Sequence, residues 1–146
     1  MKRDAFTMIE LIFVIVILGV LATVATARFL AIKQNSEDTV SQSFAGTMTR
    51  TVGHSLWSKS LMQNDNGSLK VGNSDKFYGD PLSKYVDIPS YFDSTTVDFS
   101  QCVKDGESAN PFLQKASNGK YNVFCRDGNA TTAPKFVVAE GGSYQF

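Results

Sequence analysis

The chain has 146 residues, and its fourteen basic and fourteen acidic side chains cancel at neutral pH. Phosphate recognition runs on clustered Lys and Arg, so a balanced chain without such a cluster does not indicate nucleic acid as a partner. Charged residues make up 19 %, which excludes a highly charged disordered chain. Once the N-terminal third is set aside, the length leaves one small domain.

Residues 1–5 form a short polar leader with Lys2 and Arg3. From Leu11 to Ala27 no charged residue occurs, and Phe6 to Ile9 extend the apolar run towards the roughly 20 residues that cross a bilayer. Lys2 and Arg3 at its start place the N-terminus in the cytoplasm by the positive-inside rule. Residues 6–28 are therefore predicted to be a transmembrane helix.

Helical character continues over 29–63. Val40, Phe44, Met48, Val52 and Leu56 recur four apart, with Ala45 and Leu61 nearby, and predict one apolar stripe that forms domain core. Lys33, Glu37, Asp38, Gln42, Arg50 and Lys59 are assigned to the other, polar face. Asn64-Asp-Asn-Gly67 is a stop signal.

Residues 64–146 read as a globular β domain with loops. Val97–Val103, Tyr121–Cys125, Phe136–Ala139 and Ser143–Phe146 are strand candidates, and Asn118-Gly119 is a hairpin signal. Asp105-Gly106, Asp127-Gly128 and Gly141-Gly142 mark turns. The stretch from Gly67 to Asp93 reads as an irregular connection. The predicted fold class is α+β: a long N-terminal helix, half membrane and half amphipathic, packed against a small antiparallel sheet.

Cys102 and Cys125 lie far downstream of the apolar run. If that part of the chain is outside the cytoplasm, a disulfide is the expected state, against an alternative of two buried free thiols. Closing a loop of that length stabilises by ~3 kcal/mol in the chain-entropy model.

Glu10 sits among Met8, Ile9, Leu11 and Ile12, at the edge of the apolar helix. A carboxylate at such depth is costly and marks a functional site whose partner should be a cation. A free α-amino group at Phe6 would lie at the right depth. The run Ala5-Phe-Thr-Met-Ile-Glu-Leu-Ile12, after a leader with Lys2 and Arg3, resembles the class III signal of type IV pilins and type II secretion pseudopilins. The resemblance implies cleavage between Ala5 and Phe6 by a prepilin peptidase, with N-methylation of Phe6. It implies that Glu10 pairs with the Phe6 amine of a neighbouring subunit during assembly. It also implies a single-pass inner-membrane protein with a periplasmic C-terminal domain, which then enters a pilus or pseudopilus. The partners so implied are copies of itself or sister pilins, and an assembly platform with a cytoplasmic ATPase. In two places the chain departs from the family pattern: Ala5 stands where Gly is usual, and Thr23 to Phe29 lacks the Pro many members carry.

Two other readings compete. One is a minor pilin acting as an adhesion or binding module. The other is an ordinary secretory signal cut after Ala25-Thr-Ala27, leaving a soluble chain from Arg28; its apolar run is longer than such signals use, and it contains Glu10. No nucleophile–base pair, phosphate loop or other catalytic constellation is found, so no enzyme activity and no cofactor are expected. With His54 as the lone histidine, no transition-metal site is expected. Asp105, Glu107, Asp127 and Asn129 could offer oxygen ligands to calcium, but solvated turns are the preferred reading. Asn129-Ala-Thr131 matches a glycosylation sequon, a three-residue pattern common by chance.

Overall fold

A computed structural model describes residues 7–71 and 74–146. The chain divides into two compact units at the Ser36–Glu37 junction. The first unit is helical: α1 spans Met8–Thr47, and its last eleven residues belong to the second unit. No proline interrupts α1, and its hydrogen-bond ladder runs unbroken to Thr47.

In the second unit α1 is followed by a π-helical turn, Met48–Val52, and by α2, Gly53–Met62. The predicted long helix thus runs to Met62, with one local difference: the ladder widens by one residue where Gly53 N–H bonds Met48 O. Gly53 permits this close turn, since a Cβ there would lie 2.8 Å from Met48 O and 3.3 Å from the Phe136 ring. Phe44, Ala45, Met48, Val52 and Leu56 of the predicted stripe are buried, and Val40 and Leu61 are half-buried. The polar-face assignment fails at Glu37, which is 8 % exposed. Its Oε1 accepts the Lys120 backbone N–H, and a carboxylate given a backbone donor tolerates burial.

The helix stops at a Schellman motif. Asp65 N–H bonds Ser60 O and Asn64 N–H bonds Leu61 O, with Asn64 in the left-handed region at φ 64°. Asn66 and Gly67 are also left-handed, which reverses the chain.

Among the described residues the strands come as three antiparallel pairs rather than one sheet: β1 (Lys76–Phe77) with β2 (Asp80–Pro81), β3 (Ser108–Ala109) with β6 (Tyr144–Gln145), and β4 (Asn122–Arg126) with β5 (Lys135–Ala139). The central β4–β5 register sets Cys125 opposite Phe136 and Val123 opposite Val138. On the other edge of β4, Leu113 bridges Val123 across the Ala116–Gly119 turn, and Val103 bridges Arg126.

Val97–Val103 is not a strand. Asp93 and Asp98 each accept a backbone N–H two residues on, from Thr95 and Ser100, and initiate 3-10 turns at Ser94–Thr96 and Phe99–Gln101. Aspartate followed by Ser or Thr offers the backbone a local partner that competes with a ladder. The segment read as an irregular connection holds the tight β1–β2 hairpin, turned by Tyr78 and Gly79 at φ 49° and 83°, and supplies Leu69, Phe77 and Leu82 to the core.

Phenylalanines run through that core. Phe77, Phe99, Phe112 and Phe136 follow one another with ring centroids 5.5, 5.2 and 5.3 Å apart, at tilted or edge-on angles. Cys102 and Cys125 are disulfide-bonded and buried beside the Val103–Arg126 bridge.

Candidate functional site

The expected cleavage point between Ala5 and Phe6 lies outside the described residues, and so does the Phe6 amine as a partner. The described site begins at Thr7. Glu10 stands in the first turn of α1, and its Oε2 accepts from the Thr7 backbone N–H at 2.9 Å and from Thr7 Oγ1 at 2.8 Å. Glu10 N–H in turn bonds Thr7 O at 3.1 Å. Thr7-Met-Ile-Glu10 is the Ser/Thr-x-x-Glu pattern that satisfies orphan donors at a helix start. Reading Glu10 only as a misplaced charge missed Thr7, although the pattern was visible ahead of the apolar run. The helix dipole also favours an anion in this first turn.

From Leu11 to Thr26 the helix carries no charge and is apolar on every side. Phe13 is 66 % exposed, and Leu11, Leu18, Leu21 and Val24 are exposed as well. A helix apolar all round belongs in lipid or in a packed bundle. The polar groups it carries are satisfied internally: Thr23 Oγ1 donates to Val20 O and Thr26 Oγ1 to Thr23 O, as hydrocarbon requires. The stretch is long and apolar enough to cross a membrane.

In the second unit two charged clusters tie loops to helices. Lys59 Nζ bonds Asp80 Oδ2 at 2.9 Å and Tyr85 Oη at 3.0 Å, while Lys84 Nζ bonds Asp80 Oδ1 at 2.8 Å. Lys84 and then Lys59 hold the Asp80 carboxyl well below the usual carboxylate range, and Tyr85 with Asp80 pushes Lys59 up. Near the other end of this helical stretch, Asp38 Oδ1 accepts from Tyr121 Oη at 2.6 Å, and Lys120 Nζ pairs with Glu140 at 2.9 Å. The Tyr121 hydroxyl and Glu140 raise the Lys120 ammonium above its ordinary value.

Of the four residues weighed for calcium, Asp127 is occupied by the fold. Its Oδ1 accepts from Leu69 N–H and Gly128 N–H, and its Oδ2 from Ser68 Oγ. Asp105 Oδ1 lies 3.5 Å from Arg126, Glu107 accepts from Lys104 N–H, and Asn129 closes its own turn. Among the described residues no cluster of three metal-ligating side chains occurs.

Residues 1–26 match the family described as "Prokaryotic N-terminal methylation motif". No curated protein and no solved structure matches the chain. The motif, with the apolar helix behind it, supports a pilin-type subunit anchored in a membrane and points to a structural protein. It supports assignment to the type IV pilin and pseudopilin family.

Proposed function

We propose that this chain is a structural subunit of a type IV pilus or a type II secretion pseudopilus, built by lateral packing of α1. Residues 1–5 are the leader removed by prepilin peptidase, and Phe6 becomes the methylated first residue. Residues 6–28 hold the subunit in the inner membrane and then pack in the filament. Residues 29–63 continue the helix, and 64–146 form a domain on the periplasmic side and then on the filament surface. Sister copies and an inner-membrane platform with a cytoplasmic ATPase are its partners.

The observation that carries this reading is Glu10, an ionisable group at the head of the charge-free apolar run Leu11–Ala27. In the isolated chain the carboxylate is held by Thr7. A carboxylate has more acceptor sites than Thr7 uses, so it can also receive an ammonium. At low dielectric the Phe6 amine of a neighbour and Glu10 attract strongly, and each is costly alone. The pair rewards one register of adjacent helices and penalises the rest. Mass spectrometry of the mature N-terminus tests the reading: N-methylated Phe6 supports it, and a chain beginning at Arg28 overturns it.

A further inference from the structure

We propose that Asn129 is an N-glycosylation site, taking an oligosaccharide from a lipid-phosphate-linked donor on the extracytoplasmic side of the membrane. The compartment rests on the functional reading above and is independently favoured by the Cys102–Cys125 disulfide in the same unit.

The sequence contains two Asn-x-Ser/Thr matches, Asn66-Gly-Ser68 and Asn129-Ala-Thr131. The fold separates them. Ser68 Oγ is committed elsewhere: it donates to Asp127 Oδ2 at 2.6 Å and accepts from Lys70 N–H at 3.1 Å. The Asn66 side chain therefore lacks the hydroxyl its pattern promises. At the second match Thr131 Oγ1 donates to Asn129 Oδ1 at 3.0 Å, beside the Thr131 and Thr132 N–H groups at 2.9 Å each. Residues 129–132 are all exposed, in the loop between β4 and β5.

This arrangement suits glycosyl transfer. An amide nitrogen is a poor nucleophile because its lone pair is delocalised into the carbonyl. Three donors on Oδ1 draw electron density to oxygen and make the Nδ2 protons more acidic. Nδ2 itself donates no hydrogen bond among the described residues. The backbone fixes the presentation: Asn129 N–H bonds Thr132 O at 2.9 Å, and Trp57 Nε1 donates to Asn129 O at 2.7 Å. In the transfer, the bond from Nδ2 to C1 of the first sugar forms and the C1–O bond to phosphate breaks. The lipid phosphate leaves with the electron pair, and the one proton that Nδ2 gives up passes to that departing phosphate. Beside Asn129 a polar recess of about 570 Å³, lined by Asn66, Lys104, Arg126 and Thr132, offers the first sugar hydrogen-bonding partners.

The test is peptide mass spectrometry on the full chain purified from its native host. A glycan mass on the Asn129 peptide is expected, lost in Asn129→Gln and Thr131→Ala, kept in Thr131→Ser, and unchanged in Asn66→Gln. An unmodified Asn129 peptide from the native host overturns the proposal, as does a glycan confined to Asn66 or to a hydroxyl. The same digest reports whether the chain begins at methylated Phe6, so a failure here is read separately from a failure of the filament reading.

Discussion

Thr49 Oγ1 both donates to Phe136 O at 3.0 Å and accepts from Phe136 N–H at 2.9 Å. A single hydroxyl thus replaces the neighbouring strand that β5 lacks on this edge. The π-helical turn at Met48–Val52 carries Thr49 to that position. Widened turns of this kind often sit where a helix has a specific task. Here the task is to fasten the β4–β5 pair to the helix.

Replacing Thr49 with Val keeps the shape and removes both bonds. Two part-buried backbone groups are then left unsatisfied, at a cost of about 1–3 kcal/mol. Urea unfolding of the detergent-solubilised chain should show that loss, whereas Thr49→Ser should stay near the parent. Equal stability of Thr49→Val and the parent would remove this role.

The disulfide closes the loop that holds β3 and most of β4, just after the Phe99–Gln101 turn. Cys102→Ser with Cys125→Ser should destabilise by ~3 kcal/mol through the freer unfolded chain. Denaturation midpoints with and without reductant on the parent check the same quantity. A midpoint unmoved by full reduction contradicts it.

Asp80 ties α2 to the β1–β2 hairpin through Lys59, and pairs with Lys84. Its carboxyl is lower in the folded chain than in the unfolded one. The stabilisation is therefore fully present above the unfolded value of about 4 and is lost as pH falls below it, towards the folded value. Acid titration followed by tyrosine fluorescence should show Asp80→Asn less stable at neutral pH, with a flatter acid limb. Parallel curves for variant and parent would count against the assignment.

Much of this was legible in the sequence because the signals are periodic or local. The stripe Phe44–Met48–Val52–Leu56 names the buried helix face by spacing alone. The strand β4 announces itself by its composition, and Asn64 to Gly67 by turn chemistry. What escaped depends on partners far along the chain. Glu37 looks solvent-facing until Lys120 N–H meets it. Thr49 looks like any helical threonine until Phe136 arrives. The 97–103 segment alternates like a strand for part of its length, yet Asp98 offers the Ser100 N–H a nearer partner. At the N-terminal site Glu10 stood out by polarity, while Thr7 is inconspicuous because a threonine before a helix is ordinary.

We propose that the charge of Glu10, rather than its local hydrogen bonds, sets subunit register. Glu10→Gln separates the two, because a glutamine can still accept the Thr7 N–H that begins the helix. The measurement is the yield of sheared filaments from cells carrying Glu10→Gln, with leader removal confirmed by the N-terminal sequence. A processed but unassembled subunit is the predicted result, and filaments at the parental yield would contradict the account.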